Sequence, residues 1–147
     1  YALSGLRAAY LCSNPNNIIP LKRITPPWVI GLPAQIASIY ALKEEDYYFK
    51  RYKETHILRN NLKSELEKIG IDEIIPGAAN FIMFHLNNDK LSASAIVNEC
   101  KKEKLYLRDI SVMGSSFKDN AIRMAVKDES TNKKMIKIFE KCFRELN

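Results

Sequence analysis

The chain has 147 residues, of which 46% are hydrophobic and 27% charged, and its formal net charge at pH 7 is +6. This composition is typical of a globular protein long enough to bury a stable core, and it excludes a disordered chain. Lysines and arginines alternate with acids in stretches such as KEEDYYFKRYKE, as on solvated helix faces, so we expect no nucleic-acid binding. No apolar run approaches the roughly 20 residues that cross a bilayer, so we expect no membrane segment.

The first 45 residues resemble the end of a larger structure. Residues 6–12, LRAAYLC, predict a short buried strand, which the turn-forming stretch SNPNN ends. A short amphipathic helix is predicted over 15–24. It has to end there because Pro26 and Pro27 follow. A second helix, rich in small residues and apolar enough to be buried, is predicted over 34–44.

Residues 46–147 predict a complete α+β unit. A long helix over 46–69 carries one apolar stripe and ends at Gly70, and a final helix begins near Asp128 or Ser130, either of which can cap it. The stripe comprises Tyr48, Tyr52, Thr55, Leu58, Leu62, Leu66 and Ile69. Between these helices lie the strand-like pieces DEIIP, NFIMFHL, LYLRD and AIRMAV, with the helical stretch LSASAIVNECKKE before the third. This order predicts a small sheet covered on one face by helices.

The cysteines and histidines suggest neither a disulfide framework nor a metal site. The three cysteines lie far apart in the sequence without a C-x-x-C pair, and the two histidines, His56 and His85, are isolated. We therefore expect reduced thiols in a cytoplasmic protein and no bound metal.

Three arginines stand out from this background. Arg108 closes one predicted strand and Arg123 lies near the start of the next, so neighbouring strands would bring both guanidinium groups to one end of the sheet. Two such groups can bind carboxylates or phosphates. The alternative is that each arginine pairs with a carboxylate on the protein surface, and the sequence spacing of the two arginines alone favours this alternative. Arg7 stands in the apolar run 6–12, where burial of its charge calls for an anion, either a carboxylate or a cofactor phosphate.

Five motifs carry a resemblance to a known family. YALSGLRAAYLCSN resembles the segment that follows the Schiff-base lysine in class I/II pyridoxal-phosphate aminotransferases, whose pattern is S-K-x-x-x-L-x-G-L-R-x-G-Y. PPW, PGAANFIMFHL, LYLRDIS and AIRMAVKDESTN follow in the order and spacing of the histidinol-phosphate aminotransferase group, which includes threonine-phosphate decarboxylase. The motifs span essentially the whole chain. The resemblance implies the C-terminal part of a fold-type I α/β enzyme, with residues 1–45 ending the large domain and 46–147 forming the small one.

The resemblance also implies roles for individual residues. Arg7 would bind the phosphate of pyridoxal 5′-phosphate, Arg123 the substrate α-carboxylate, and Arg108 a distal phosphate of the substrate. Asn80 would line the substrate pocket, although a turn residue at the start of a strand fits the sequence as well. The lysine would lie upstream of Tyr1, so we expect no catalytic residue in this chain, which alone would be inactive. The full-length parent would be a homodimer acting on a small amino acid or amino-acid phosphate.

Some positions depart from the aminotransferase pattern. Lys127 stands where aminotransferases commonly have the glycine of V-G-T, and Gly31 where many have asparagine. Lys127 and Trp28 are more similar to the decarboxylase-type relatives. Two alternatives to an aminotransferase therefore stay open, a threonine-phosphate decarboxylase-like enzyme and a non-catalytic anion-binding α+β domain derived from the same fold.

Overall fold

The computed structural model describes residues 1, 3–75, 77–87, 91–114, 117 and 119–146. These residues contain five α-helices and four β-strands. The chain divides into two compact units, Tyr1–Arg51 and Tyr52–Asn147. The assignment of 1–45 to a large domain and of 46–147 to a small one stays a prediction.

The first unit is helical. It opens with a 3-10 turn at Ser4–Leu6 and continues with α1 (Pro15–Ile24) and α2 (Leu32–Lys43), followed by the start of α3 (Glu45–Lys68). The side-chain oxygen of Asn14 caps α1 by accepting from the backbone N–H of Asn16 at 2.9 Å. Both predicted helices of this unit are therefore confirmed, with ends shifted by at most two residues.

Two expectations for the first unit are wrong. No residue of 6–12 forms a strand. The described residues of this unit contain no strand with which this segment could pair its backbone N–H and C=O groups. The helix α2 is not well buried, since only Ala34 and Ala41 are covered while Ile39 is 55% and Tyr40 is 65% exposed. Small apolar residues marked this helix as buried, but within this unit little packs against it.

The second unit contains the small sheet that the order of elements predicts, and its four strands are antiparallel. Its strands are β1 (Ile74–Ile75), β2 (Phe81–His85), β3 (Arg108–Asp109) and β4 (Ala121–Ala125), arranged in the order β1-β2-β4-β3. The helix α4 (Ala93–Lys102) connects β2 to β3, and α5 (Glu129–Leu146) follows β4. β4 therefore inserts between two strands that precede it in the chain.

Helices cover one face of this sheet. Alternate residues of β2 and β4 point toward them and are buried, and the rings of Phe84 and Phe139 meet edge to face at 5.4 Å. The core also takes the C-terminal part of the stripe on α3, through Leu62 and Leu66. Tyr52, on the same predicted stripe, is 46% exposed. The stripe is therefore buried only where α3 faces the sheet.

Both predicted helix boundary signals are used. Gly70 has a φ of 91°, a left-handed conformation that ends α3 at low steric cost. Asp128 caps α5, because its carboxylate accepts the hydroxyl of Thr131, the backbone N–H of Thr131 at 2.9 Å and the hydroxyl of Ser130. These hydrogen bonds, first that of the Thr131 hydroxyl, hold the pKa of the Asp128 carboxyl well below its usual range.

The cap predicts a pH-dependent stability. Since the pKa of Asp128 is lower in the folded state, its contribution is present above the unfolded pKa of about 4 and is lost as the pH falls through the folded value. We expect Asp128→Ala to lower the melting temperature at pH 7, with a smaller difference from wild type at about pH 2. Circular dichroism melts at both pH values measure this difference.

Asp128→Asn is the matched control. Asparagine caps helices about as well as aspartate but does not titrate, so this variant keeps most of the melting temperature at pH 7. An Asp128→Ala variant as stable as wild type at pH 7 would contradict the capping role.

Candidate functional site

The arginines Arg108 and Arg123 are direct cross-strand partners. The pairing of β3 with β4 sets Arg108 opposite Arg123, and Asp109 opposite Ile122. Directly opposed residues of an antiparallel pair project from the same face, with Cβ atoms roughly 5 Å apart. Ile122 is fully buried in the core under the helices, so both arginines lie on the other face of the sheet. The two strands are therefore neighbours, which is the condition on which the sequence argument for a shared arginine site depends.

The two guanidinium groups have no carboxylate partner among the described residues. Arg108 is exposed and Arg123 half-buried, and the ion pairs seen in this unit involve other side chains. Asp109, next to Arg108, instead accepts the backbone N–H of Ser111 at 2.9 Å and so shapes the following turn. Like charges directly opposed across a ladder repel. The arrangement therefore suits an anion that contacts both arginines, or two anionic groups of one molecule.

An aromatic ring accompanies Arg123. The guanidinium carbon lies over the ring of Phe81 at 4.7 Å from the ring centroid, within the range of a cation–π contact. Phe81 is opposite Ala125 in the β2–β4 ladder, and Met83 is opposite Arg123. Phe81 was not singled out from the sequence, because its contact with Arg123 depends on the register of two strands about 40 residues apart.

Asn80 lies immediately before this ring and has an exposed side chain. Its carbonyl accepts the backbone N–H of Val126 at 2.9 Å, which extends the β2–β4 pairing by one step. The preceding carbonyl, that of Ala79, accepts a hydrogen bond at 2.9 Å from Nη1 of Arg59, a buried arginine on α3. Nη2 of Arg59 contacts Nδ1 of His56. Its sequence neighbourhood, a charged helix, gave no sign that Arg59 is buried.

The other end of the same face is covered. His85 is buried, its Nδ1 lies 3.1 Å from Oδ1 of Asn120, and its ring stacks near that of Phe117 at 6.2 Å between centroids. The amide nitrogen of Asn120 donates to the carbonyl of Leu86 at 3.0 Å, so its oxygen is the group available to His85. His85 therefore contacts two residues between β3 and β4, Phe117 and Asn120. The part of the face around Arg123 is the part that remains half open.

Arg7 belongs to the first unit and does not lie where the sequence predicts. It follows the turn at Ser4–Leu6 with a φ of 57°, donates its backbone N–H to the Ser4 carbonyl at 3.1 Å, and is exposed. Because the side chain of Arg7 is exposed to solvent, its charge needs no buried anion to compensate it. Its guanidinium has no carboxylate partner within the described residues and is free to bind an anion. A left-handed non-glycine residue is uncommon and often marks a functional position.

A cavity of about 400 Å³ lies beside this turn. The residues that follow Arg7, Ala8 to Tyr10, form part of its wall. Four lining residues carry hydroxyl groups, and the others are apolar: the four are Tyr1, Ser4, Tyr10 and Ser38. An exposed arginine next to such a cavity is chemically suited to the phosphate of a cofactor whose ring is apolar.

The described ranges contain neither a candidate metal centre nor a candidate membrane-spanning helix. No group of three or more potential metal ligands from His, Cys, Asp and Glu comes together in them. None of their helices is both long and apolar enough to span a bilayer. The three cysteines are unpaired, with Cys12 exposed and Cys100 and Cys142 buried. Burial, and then the neighbouring Cys142, raise the pKa of the Cys100 thiol to about 12.

Comparison with known proteins identifies the family. The model of the aminotransferase class I and II family matches residues 1–139. The chain belongs to this family. Histidinol-phosphate aminotransferases from Rhodopseudomonas palustris (strain BisB5) and Campylobacter concisus are each 28% identical to it, over 92% and 98% of the chain. The chain spans only 36% and 38% of the lengths of these relatives.

Solved structures agree with this assignment. The histidinol-phosphate aminotransferase from Clostridium acetobutylicum superimposes with a TM-score of 0.80 at 27% identity, over 99% of this chain and 43% of that protein. A decarboxylase from Sulfurospirillum multivorans matches with a TM-score of 0.77 at 20% identity, over 99% of this chain and 41% of its own, and this likeness concerns the fold. The predicted family and fold class are confirmed.

The cysteines allow a test of the structure. Because Cys12 is exposed while Cys100 and Cys142 are buried, we expect Ellman's reagent at about pH 8 to label one thiol rapidly and all three only after denaturation. Absorbance at the thionitrobenzoate band counts the thiols. Cys12→Ser is the control and removes the rapid phase. A rapid phase that survives in this variant would show that a buried thiol is accessible.

Proposed function

We propose that the chain is part of a pyridoxal-phosphate-dependent aminotransferase of the histidinol-phosphate aminotransferase type, acting on an amino acid or an amino-acid phosphate. The observation that carries the proposal is the direct opposition of Arg108 and Arg123 on the half-open face of the sheet, without carboxylate partners among the described residues. Membership of the class I and II family and the names of the curated relatives support it.

The residues of the chain fit the cofactor at one point. Arg7 is exposed, has no described carboxylate partner and directly precedes Ala8 in the wall of a cavity of about 400 Å³, so we assign to it the cofactor phosphate. Bound pyridoxal phosphate would supply an electron sink for negative charge developing at the substrate Cα. The cofactor-linked lysine is assigned to a part of the protein outside these 147 residues. We accordingly propose that this chain alone is inactive.

The substrate contacts are assigned to the second unit. Arg123 would bind the α-carboxylate in a bidentate manner and so fix the orientation of the substituents on Cα, which determines the bond that breaks. Arg108, directly opposite and more exposed, would bind a distal phosphate. Asn80, exposed immediately before β2, is proposed to line the substrate pocket from its position opposite Val126. The whole protein is proposed to act in the cytoplasm as a homodimer.

A decarboxylase is the second candidate function. Lys127 favours it, since the glycine of the aminotransferase pattern is absent there. The side chain of Asn132 accepts the backbone N–H of Lys127 and donates to its carbonyl, both at 2.9 Å, so the backbone at this position is held in place. Release of carbon dioxide from an amino-acid phosphate, without transfer of the amino group to an oxoacid, would favour the decarboxylase.

Removal of Arg123 tests the proposed carboxylate contact. In the complete enzyme we expect Arg123→Ala to lower kcat/KM for amino-acid substrates about 30- to 150-fold, as loss of a charge-assisted contact of about 2–3 kcal/mol implies. Arg123→Lys keeps the charge without the bidentate geometry and should lie between this variant and wild type. Steady-state kinetics measure the ratio, and unchanged values would exclude the carboxylate contact.

Removal of Arg108 tests the distal contact separately. We expect Arg108→Ala to lower kcat/KM for a phosphorylated substrate at least about tenfold more than for its unphosphorylated analogue, because only the former loses a charged partner. Arg144→Ala is the control, since Arg144 lies on α5 in an exposed pair with Glu140. Equal losses for the two substrates would refute the phosphate role of Arg108.

A further inference from the structure

We propose that Phe81 is a positioning residue for Arg123, and that its ring holds the guanidinium on the half-open face of the sheet in readiness for a carboxylate. This inference rests on the proposed function for the role of Arg123 and adds a residue to that site. It identifies a planar carboxylate as the kind of group that the Phe81–Arg123 pair is built to receive.

The strand register brings the two side chains together. Phe81 is opposite Ala125, two residues beyond Arg123 on β4, so Phe81 and Arg123 are diagonal neighbours on one face. The guanidinium carbon lies 4.7 Å from the centroid of the ring. This is well inside the roughly 6 Å within which a cation is attracted to an aromatic face.

Arg123 needs such support because nothing else described on this face holds it. It has no carboxylate partner among the described residues, and the like charge of Arg108 stands directly opposite. A flexible arginine under these conditions samples several rotamers, which costs entropy when it binds a ligand. A carboxylate partner would order it but would occupy its N–H donors. An aromatic face attracts the cation and leaves the donors at the edge of the guanidinium free.

The ring itself rests on an anchored backbone. The two carbonyls before Phe81 are both bonded, that of Asn80 to the backbone N–H of Val126 and that of Ala79 to Nη1 of the buried Arg59, each at 2.9 Å. Phe81 then enters the β2–β4 ladder. The start of β2 is therefore fixed both by the sheet and by α3, so the position of the ring is determined before any ligand binds.

The experiment uses the whole 147-residue chain with Phe81→Leu and Phe81→Trp, and detects the Nε–Hε resonance of Arg123 by NMR, assigned from its loss in Arg123→Ala. We expect this resonance to carry a ring-current shift in wild type and in Phe81→Trp, and to move toward the value of a free arginine in Phe81→Leu. Tyr106→Leu is the matched control, because Tyr106 is an aromatic residue 75% exposed on the same unit and makes no cation–π contact with the residues that the structure describes.

Titration with succinate, a small dicarboxylate, tests the consequence for binding. We expect the Kd for succinate to rise about two- to fivefold in Phe81→Leu, and to stay within error in Phe81→Trp and Tyr106→Leu. In the complete enzyme the same change should appear in KM for the amino acid, with kcat retained. Circular dichroism melts establish that the variants remain folded.

The outcomes separate this inference from the proposed function. If Arg123→Ala weakens succinate binding while Phe81→Leu changes neither the resonance nor the Kd, the positioning role is refuted and the carboxylate contact stands. If Arg123→Ala leaves succinate binding unchanged, the carboxylate contact fails, and the role of Phe81 fails with it. A loss of binding in Phe81→Leu that Phe81→Trp does not restore also refutes a cation–π role.

Discussion

Because β3 and β4 pair with Arg108 directly opposite Arg123, two cations without a described carboxylate partner share the face of the sheet that the helices leave uncovered. The side-chain period of a strand is two, so a slip of one residue would turn Arg123 into the core and Ile122 out of it. The free-energy cost of burying an unpaired arginine in that core would be far larger than the stabilisation from any surface contact. The hydrophobic face of β4 thus enforces the register that creates the candidate site.

The core and the site are therefore two consequences of one alternating pattern. On β4, buried Ile122 and Met124 pack under the helices, while Arg123 between them projects the other way. On β2 the same alternation buries Phe84 against Phe139 and leaves Phe81 on the face of Arg123. Apolar burial supplies the free energy that holds two like charges at a short distance. A bound anion would then relieve their repulsion.

The sequence predicted most of the second unit and less of the first. The periodicity of its helices, the glycine at 70 and the acid at 128 are local signals, and the structure uses each of them. The prediction of a strand at 6–12 was wrong because an apolar run indicates burial but does not show whether a partner strand is present. The spacing of Arg108 and Arg123 in the sequence is compatible with a direct cross-strand pair. Whether they form one depends on the register of β3 and β4. The contacts of Phe81 and Arg59 join segments distant in sequence, and no local pattern encodes them.

The strand order also determines when the sheet can be completed. β1 and β2 form a local antiparallel pair, but the other partner of β2 is β4, the last of the described strands to be synthesised. Until β4 inserts between β2 and β3, each of those strands presents an unpaired edge. Pairing across so long a loop is slow compared with helix formation. During synthesis the half-finished sheet, with its unpaired edges, is therefore the stage most exposed to mispairing with other chains.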